Sequence, residues 1–221
     1  MDAFHIDHNR KDRLGFPEII YGASKDEEVL AGILQDYVQQ GQAAMITRLQ
    51  ADKARALTSM FPAAFYDERA RVFLLNGLQQ AQRSGDIAIL SAGTSDQAVV
   101  EEAYYTLHFL GVEARRVMDI GVSGIHRLMG KVDMLKSFSI LIVVAGFEGA
   151  LPSVVGGLFP QPIIAVPTSV GYGVSAQGQA ALNSMLASCA NGITVVNIDN
   201  GYGAAMAAYR ILKAMDKGRK Q

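Results

Sequence analysis

The stretch Ile140-Leu141-Ile142-Val143-Val144-Ala145-Gly146-Phe147-Glu148-Gly149-Ala150-Leu151-Pro152 decides the fold. Its six leading apolar residues, most of them β-branched, predict a strand buried on both faces, which is typical of a parallel sheet. Glycine ends the strand, and Pro152 lies where a helix can begin, because proline is tolerated in a first helical turn. Glu148 is therefore expected at the carboxyl end of a central strand, where open α/β sheets bind their ligands.

Strand and helix patterns alternate on both sides of this stretch, from residue 86 onward. Strands are predicted at 87–90, 114–118, 140–145, 163–166 and 193–198. Helices are predicted at about 97–110, 123–136, 151–158, 175–190 and 203–215. Because strands separated by helices form right-handed βαβ units, this alternation predicts an α/β fold with a doubly wound parallel sheet.

The residues before position 80 follow a different pattern. Ser24 and Glu27 predict a capping box for a helix that ends near Gln40. A strand at 44–47, a helix at 51–60 and extended structure with a turn at 65–75 are predicted to follow. The sequence thus predicts a small α+β domain at 1–80 and an α/β catalytic domain at 84–221, with the polar stretch 79–85 between them.

The composition indicates a soluble globular protein. The chain has 20 Lys and Arg against 21 Asp and Glu, and the one basic cluster, 213–220, is a short helix end, so no nucleic-acid surface is indicated. A single cysteine cannot form an intramolecular disulfide and the opening residues lack a leader pattern, so a cytoplasmic location is expected. Residues 149–198 contain no charged side chain, but proline and glycine interrupt their apolar runs. We therefore expect this segment to be buried in the sheet and against other subunits of a homo-oligomer, not in a membrane.

The turn after the first predicted strand of the α/β domain is Gly93-Thr94-Ser95-Asp96. Its backbone N–H groups, two hydroxyls and position at a helix N-terminus could bind phosphate or another anion. The same residues would serve equally well as an ordinary cap for the helix. The turn matches neither the GxGxxG fingerprint nor a Walker loop.

Two residues are candidates for catalysis. Glu148 is the only charged residue between Lys136 and Asp199, and a carboxylate in apolar surroundings can act as a general base. A carboxylate there also complements the dipole of the helix that follows. Cys189 falls on one helical stripe with Leu182, Met185 and Leu186, so the spacing alone favours a core residue, and a helix C-terminus disfavours a thiolate.

Polar, glycine-rich turns follow the remaining strands and provide further candidates for binding a ligand: Gly146, Ser169, Gly171, Tyr172, Asp199 and Asn200. His126, after the second strand, fits ligand contact and a structural role equally well. The sequence has no His/Cys spacing for a structural metal and no Gly-x-Ser-x-Gly nucleophile elbow.

Taken together, these motifs resemble the LarB family, the pyridinium-3,5-biscarboxylic acid mononucleotide synthases of nickel-pincer cofactor biosynthesis. The similarity rests on Gly93-Thr94-Ser95-Asp96, on segments 146–157 and 166–173, on Ser188-Cys189-Ala190, on 197–201 and on the opening segment 13–22. The second half is similar, more distantly, to the PurE aminoimidazole ribonucleotide carboxylases and mutases, which are flavodoxin-like octamers. PurE enzymes carry a histidine before Leu-Pro where this chain has Ala150, which argues against purine synthesis.

The resemblance implies a PurE-like fold and carboxylation of nicotinic acid adenine dinucleotide at the pyridinium C5, using CO2 or bicarbonate. Hydrolysis of the phosphoanhydride would release AMP, as the first step towards the cofactor of lactate racemase-type enzymes. Cys189 would add to C4 of the ring, and Glu148 would remove the C5 proton. The Gly93-to-Asp96 turn would hold phosphate or ribose.

The resemblance implies no covalently bound cofactor and no metal held by the protein itself, while leaving open Mg²⁺ bound through the substrate's phosphates. It also implies a homo-oligomer, an octamer by similarity to PurE. Two alternatives remain: a purine-biosynthetic N5-carboxyaminoimidazole ribonucleotide mutase or carboxylase, and a non-catalytic nucleotide-binding module that uses the same turns.

Overall fold

A computed structural model describes residues 4–77 and 83–218. The chain forms two compact units, Met1–Gln80 and Ala81–Gln221. In these described residues, no helix combines the length and the hydropathy that crossing a bilayer requires.

The first unit is a small α+β structure. Its elements are α1 (Arg10–Leu14), β1 (Ile19–Tyr21), α2 (Glu27–Gln39), β2 (Ala44–Thr47), α3 (Ala51–Met60), β3 (Phe65–Asp67) and β4 (Val72–Leu75). The strands form a mixed sheet in the order β1-β2-β4-β3, in which only the β1–β2 pair is parallel among the described strands. Apolar residues of α2, α3 and the sheet form its core, among them Leu30, Leu34, Ile46, Leu57 and Phe73.

The second unit alternates strands and helices. Its elements are β5 (Arg83–Ser91), α4 (Gln97–Phe109), β6 (Val112–Val117), α5 (Ile125–Met129), α6 (Val132–Leu135), β7 (Ile140–Ala145), α7 (Leu151–Leu158), β8 (Ile163–Pro167), α8 (Gln179–Leu186), β9 (Ile193–Val195) and α9 (Gly201–Gly218). The five strands are all parallel, in the order β6-β5-β7-β8-β9. This is the strand order of flavodoxin-like folds, so the predicted α/β fold with a parallel sheet is confirmed.

Helices cover both faces of this sheet. α4 and α9 pack together on one face, whereas α7 and α8 pack on the other, where α5 and α6 also contribute to the core. All six residues of β7 are buried, as the unbroken apolar run predicts. The strand that precedes Glu148 is therefore held between two strands and two helical layers.

Several predicted bounds differ from the structure. β5 begins at Arg83, because Arg83 and Ser84 pair with β6 before an irregularity near Gly85, where φ is +87°. The predicted boundary stretch 79–85 thus ends inside β5, and its residues 79–82 lie outside the described residues. The helix predicted at 123–136 is divided into α5 and α6 by Gly130 and Lys131. The predicted strand 193–198 ends at Val195.

The predicted starts of two helices are wrong. The first long helix begins at Glu27 with Asp26 as its N-cap, so Ser24 caps nothing. The helix predicted at 175–190 is shorter at both ends: α8 begins only at Gln179 and ends at Leu186. Its start is delayed because Gln177 and Gly178 have φ of +64° and +77°, which the α-helix does not accept.

Candidate active site

The parallel sheet brings the turns after its strands to one edge. The turn after β5 contains residues 92–96, and the turn after the neighbouring strand β7 contains residues 146–150. The chain leaves β5 towards α4 and leaves β7 towards α7, which lie on opposite faces of the sheet. In open α/β sheets such a reversal opens a crevice between the two strands, and ligands bind there.

Asp96 ends the turn after β5, with only 4% of its surface exposed. Its carboxylate accepts a hydrogen bond of 2.7 Å from the Thr168 hydroxyl and one of 3.0 Å from the Gly93 N–H. Burial raises the pKa of Asp96, and the charge of Asp199 acts in the same direction, whereas the bonds from Thr168 and Gly93 act against it. Asp96 therefore links the turn after β5 to the turn after β8.

This arrangement alters the role expected for the Gly93-to-Asp96 turn. The Gly93 N–H and the Asp96 carboxylate bond to each other, as in a helix cap, so neither is directed towards a ligand. The side chains of Thr94 and Ser95 are exposed, and among the described residues their hydroxyls make no hydrogen bond. Within this turn, the two hydroxyls are the side-chain groups still available to a phosphate or a ribose.

Glu148 lies in a tightly fixed turn. The Phe147 N–H donates to the Val170 carbonyl at 2.7 Å, and the Gly149 N–H donates to the Gly146 carbonyl at 2.9 Å. The side chain of Glu148 is exposed, and no described residue hydrogen-bonds its carboxylate. The sequence predicted a carboxylate in apolar surroundings, whereas the Glu148 side chain is exposed to solvent and hydrogen bonds hold the backbone on either side of it.

Gly146, which begins this turn, packs closely against the turn after β8. A Cβ placed on Gly146 would lie 2.5 Å from the Val170 carbonyl oxygen and 2.6 Å from the Thr168 hydroxyl oxygen. Both distances are far below van der Waals contact, so a larger side chain would push the turns after β7 and β8 apart. The glycine thus allows the Glu148 turn to lie directly against Thr168, the partner of Asp96.

The turns after β8 and β9 are joined in the same way. The Ser169 N–H donates to the Asp199 carboxylate at 2.8 Å, and the Asp199 N–H donates to the Pro167 carbonyl at 2.8 Å. Asn200 accepts a 2.8 Å hydrogen bond from the Gly203 N–H and so caps α9. The predicted residues Ser169, Asp199 and Asn200 are therefore brought to this edge, where they also hold its backbone in place.

The turn after β8 presents an aromatic side chain. Gly171 adopts a φ of +152°, and Tyr172, which follows it, has 79% of its surface exposed. The Tyr172 ring lies against the ring of Phe147, with centroids 5.7 Å apart and ring planes at 87°. Phe147 is itself 45% exposed, so an aromatic pair lies at the surface, and one of its members directly precedes Glu148 in the chain.

Cys189 does not lie in a helix. α8 ends at Leu186, which is 66% exposed, and Cys189 follows in an irregular segment with an exposed thiol. The predicted apolar stripe through Leu186 and Cys189 is therefore wrong, and the argument that a helix C-terminus disfavours the thiolate loses its basis.

The neighbours of Cys189 fix its segment against α7. The hydroxyls of Ser188 and Ser153 are 2.6 Å apart, and Ala190 lies so near α7 that a Cβ on Gly156 would be 2.8 Å from its methyl group. Ser153 is in the first turn of α7, about 3 Å along the axis from its start, and Glu148 precedes that start. No hydrogen bond joins Cys189 to Glu148 in the described chain, but one helix supports both segments.

The charge at this edge is mainly negative. The turns at 92–96, 118–124, 146–150, 168–178 and 196–200 contain four carboxylates and no Lys or Arg: Asp96, Asp119, Glu148 and Asp199. His126 is exposed on α5, and the neighbouring Arg127 forms an ion pair with Asp119. No group of three His, Cys, Asp or Glu side chains in the described residues could hold a metal ion.

Three residues of this edge were not singled out by the sequence patterns. Thr168 and Phe147 lie inside the motifs that carry the family resemblance. In the sequence, however, Thr168 is typical of any polar turn residue and Phe147 of any apolar residue. Arg127 has a buried Nε atom without a hydrogen-bond partner among the described residues. For Thr168 and Phe147, only the three-dimensional pairing of turns reveals the position, because their partners Asp96 and Tyr172 are distant in sequence.

Comparisons with known proteins agree with this architecture. Residues 1–77 match the family model described as the LarB/PurE-like N-terminal domain, and residues 86–221 match the model described as AIR carboxylase. An uncharacterized protein from Methanocaldococcus jannaschii is 39% identical over 225 residues, which cover 98% of this chain and 86% of that protein. A crystal structure of a PurE2 variant from Treponema denticola has a TM-score of 0.50 at 24% identity, covering 61% of this chain and 82% of that chain, and shows the fold alone.

Proposed function

The chain belongs to the LarB family, with a PurE-like C-terminal half, and from this premise we propose that it carboxylates nicotinic acid adenine dinucleotide. The family supports a carboxylase-related function in general. The proposed reaction forms a carbon–carbon bond at the pyridinium C5 and cleaves the phosphoanhydride. Its products are AMP and pyridinium-3,5-biscarboxylic acid mononucleotide.

The observation that carries the proposal is the free, exposed carboxylate of Glu148 at an edge whose turns hold acidic residues and no Lys or Arg. A substrate that brings a positive ring to this edge is favoured electrostatically. The positive ring of nicotinic acid adenine dinucleotide has this charge, whereas the uncharged aminoimidazole ring does not. Arg127 and the hydroxyls of Thr94 and Ser95 are the groups that we assign to the negative phosphates.

Carboxylation first requires an electron-rich ring. A pyridinium is electron-poor and does not attack CO2, so the Cys189 thiolate adds to C4 and forms a carbon–sulfur bond. The electron pair of the ring bond moves to the ring nitrogen, which becomes neutral. The resulting dihydropyridine is an enamine whose C5 is nucleophilic. The exposed position of Cys189 leaves the sulfur accessible to a ring.

The ring then captures carbon dioxide and recovers its aromaticity. C5 attacks CO2, and the ring nitrogen becomes positive again. Glu148 removes the C5 proton, which returns the electron pair to the ring, and this pair expels the thiolate from C4. The net change replaces one ring hydrogen by a carboxylate and releases one proton. Bicarbonate would supply the same CO2 after dehydration.

The phosphoanhydride cleavage consumes one water molecule. The described residues offer no three-ligand metal cluster, so any Mg²⁺ in this step is proposed to be bound by the phosphates of the substrate. The alternative, a purine-type mutase, is disfavoured because Ala150 stands where PurE enzymes have the histidine.

The test is a mass-spectrometric assay. The purified full chain is incubated with carbon-13-labelled bicarbonate and either nicotinic acid adenine dinucleotide or aminoimidazole ribonucleotide. We expect AMP and a labelled dicarboxylated mononucleotide from the first substrate and no labelled product from the second. Labelled product from aminoimidazole ribonucleotide would instead favour the purine-type mutase or carboxylase. Tight binding of the dinucleotide without turnover would identify a non-catalytic binding module.

A further inference from the structure

An exposed aromatic pair lies next to the proposed catalytic carboxylate. Phe147 is in the turn after β7 and Tyr172 is in the turn after β8, so two adjacent strands of the sheet position the two rings. Their centroids are 5.7 Å apart at an angle of 87°, the edge-to-face arrangement that aromatic rings prefer. Both residues remain exposed, and Phe147 immediately precedes Glu148 in the same turn.

The backbone of Phe147 is held in an unfavourable conformation. Phe147 adopts a φ of +52°, a conformation that is unfavourable for a bulky side chain and easier for glycine or asparagine. The 2.7 Å hydrogen bond from its N–H to the Val170 carbonyl holds it there. A ring that is both in a strained conformation and exposed to water adds nothing to the core, and such residues concentrate at ligand-binding sites.

The charges around the pair indicate which ligand fits. The turns that flank it carry Glu148 and, nearby, Asp199, while residues 149–198 contain no charged side chain at all. No Lys or Arg in these turns competes for the ring faces. The faces of Phe and Tyr attract cations through their negative quadrupoles, and a flat cation also gains stacking contact.

We propose that Phe147 and Tyr172 form a binding surface for a flat, positively charged heteroaromatic ring, and that they select the charged ring over its neutral counterpart. The proposal rests on the proposed function for the identity of that ring, the pyridinium of the substrate. The aromatic pair then places the ring next to Glu148, the residue that receives its proton. The pair is a specificity determinant, whereas Cys189 and Glu148 perform the chemistry.

Binding of small ring probes tests the proposal without turnover. 1-Methylnicotinamide and nicotinamide have the same ring and amide, but only the first carries a permanent positive charge. Their affinities for the full chain are measured by titration of the ligand ring protons in NMR spectra. We expect the wild-type chain to bind the cation about three- to tenfold more tightly than the neutral ring.

Three variants test whether the two rings cause this preference for the cation. Tyr172→Ala and Phe147→Asn should abolish it, and asparagine is chosen because it accepts a positive φ, so the ring is removed without straining the turn. Tyr172→Phe should retain it. Tyr21→Ala, which removes an exposed tyrosine of the first unit, is the matched control and should leave both affinities unchanged. Thermal unfolding of each variant verifies that it is folded.

The outcomes separate the aromatic surface from the carboxylase activity. Equal affinities of the wild-type chain for the two probes would overturn the proposal, as would an unchanged preference in folded Tyr172→Ala and Phe147→Asn. The proposal would also be overturned if Tyr172→Ala or Phe147→Asn changed the oligomeric state in light scattering while keeping the preference for the cation. The pair would then be a contact between copies of the chain. If the preference is present but no dinucleotide is carboxylated, only the proposed function fails.

Discussion

The Thr168 hydroxyl donates a 2.7 Å hydrogen bond to the buried carboxylate of Asp96. Since β7 lies between β5 and β8 in the sheet, this bond connects the turns on either side of the turn that carries Glu148. The Gly93 N–H bonds the same carboxylate at 3.0 Å. The position of the proposed general base is thereby determined by two residues that do not themselves face the solvent.

Replacing Thr168 by valine tests this connection. The two side chains have the same shape, so Thr168→Val removes only the hydroxyl and leaves the buried Asp96 carboxylate short of one donor. We expect the free energy of unfolding to fall by about 1–2 kcal/mol in denaturant titrations. Thr94→Val removes an exposed hydroxyl from the same edge and should change it by less than about 0.5 kcal/mol. Similar losses in both variants would contradict the role assigned to Thr168.

Cys189 and Glu148 should affect turnover without affecting stability, because both side chains are exposed. Cys189→Ala is expected to reduce carboxylation by more than about a hundredfold, since no other thiol is present to add to the ring. Glu148→Gln is expected to slow it by about a hundredfold or more, because the adduct forms but its C5 proton is not removed. Intact-protein mass spectrometry should then detect a covalent adduct in Glu148→Gln and none in Cys189→Ala. Normal turnover in Cys189→Ala would rule out the covalent route.

Two glycines of the Glu148 region provide a matched comparison. A Cβ on Gly146 would lie 2.5 Å from the Val170 carbonyl oxygen, whereas one on Gly157 meets no atom of the surrounding structure within 4 Å. Gly146→Ala is therefore expected to lower the free energy of unfolding by about 1–3 kcal/mol and to reduce turnover. Gly157→Ala, inside α7, should be neutral or stabilising by up to about 1 kcal/mol. Calorimetry on both variants measures the difference, and equal effects would contradict close contact between the two turns.

His8 makes the stability of the first unit depend on pH. Its ring nitrogens lie 3.0 Å from the Gln42 side-chain oxygen and 2.6 Å from the Asp36 carboxylate. The hydrogen bond with Gln42, and then that with Asp36, raise the pKa of His8 above 6.5. The folded state thus binds the proton more tightly than the unfolded state does. The stabilisation is complete below pH 6.5 and is lost as the pH rises through the raised pKa.

An NMR titration of the His8 ring protons measures that pKa directly. Asp36→Asn and Gln42→Leu should each lower it towards the ordinary value, because each removes an oxygen that favours the protonated ring. His8→Gln should flatten the pH dependence of thermal unfolding between about pH 6 and 8. If the pKa of His8 were the same in the wild type, in Asp36→Asn and in Gln42→Leu, the two hydrogen bonds would not be the cause of its shift.

The sequence predicts most of the second unit because its signals are local. The apolar run 140–145 and the proline near the start of α7 define a buried strand and a helix start without reference to other parts of the chain. The start of β5, which the sequence placed too late, depends on distant partners. Arg83 extends β5 because it pairs with the edge strand β6 and forms ion pairs with Asp86 and Asp216.

The candidate site was predictable only as a set of turns. Periodicity placed Cys189 in the core because it assumes that the helix continues past Leu186. The helix ends there, but no glycine or proline near Leu186 indicates this end in the sequence. The buried carboxylate of Asp96 is hydrogen-bonded by Thr168, which is 72 residues away in sequence, so no local pattern predicts this contact. The pairing of Phe147 with Tyr172 likewise requires the register between β7 and β8.

The strand order β6-β5-β7-β8-β9 also has a consequence for biosynthesis. β6 adds to one side of β5 and β7 to the other, and β8 and β9 then each extend the growing sheet by one strand. No strand has to insert between two that are already paired. The strands of the sheet can therefore pair in the order in which they are synthesised. The pairing of β8 with β9 is the last to form.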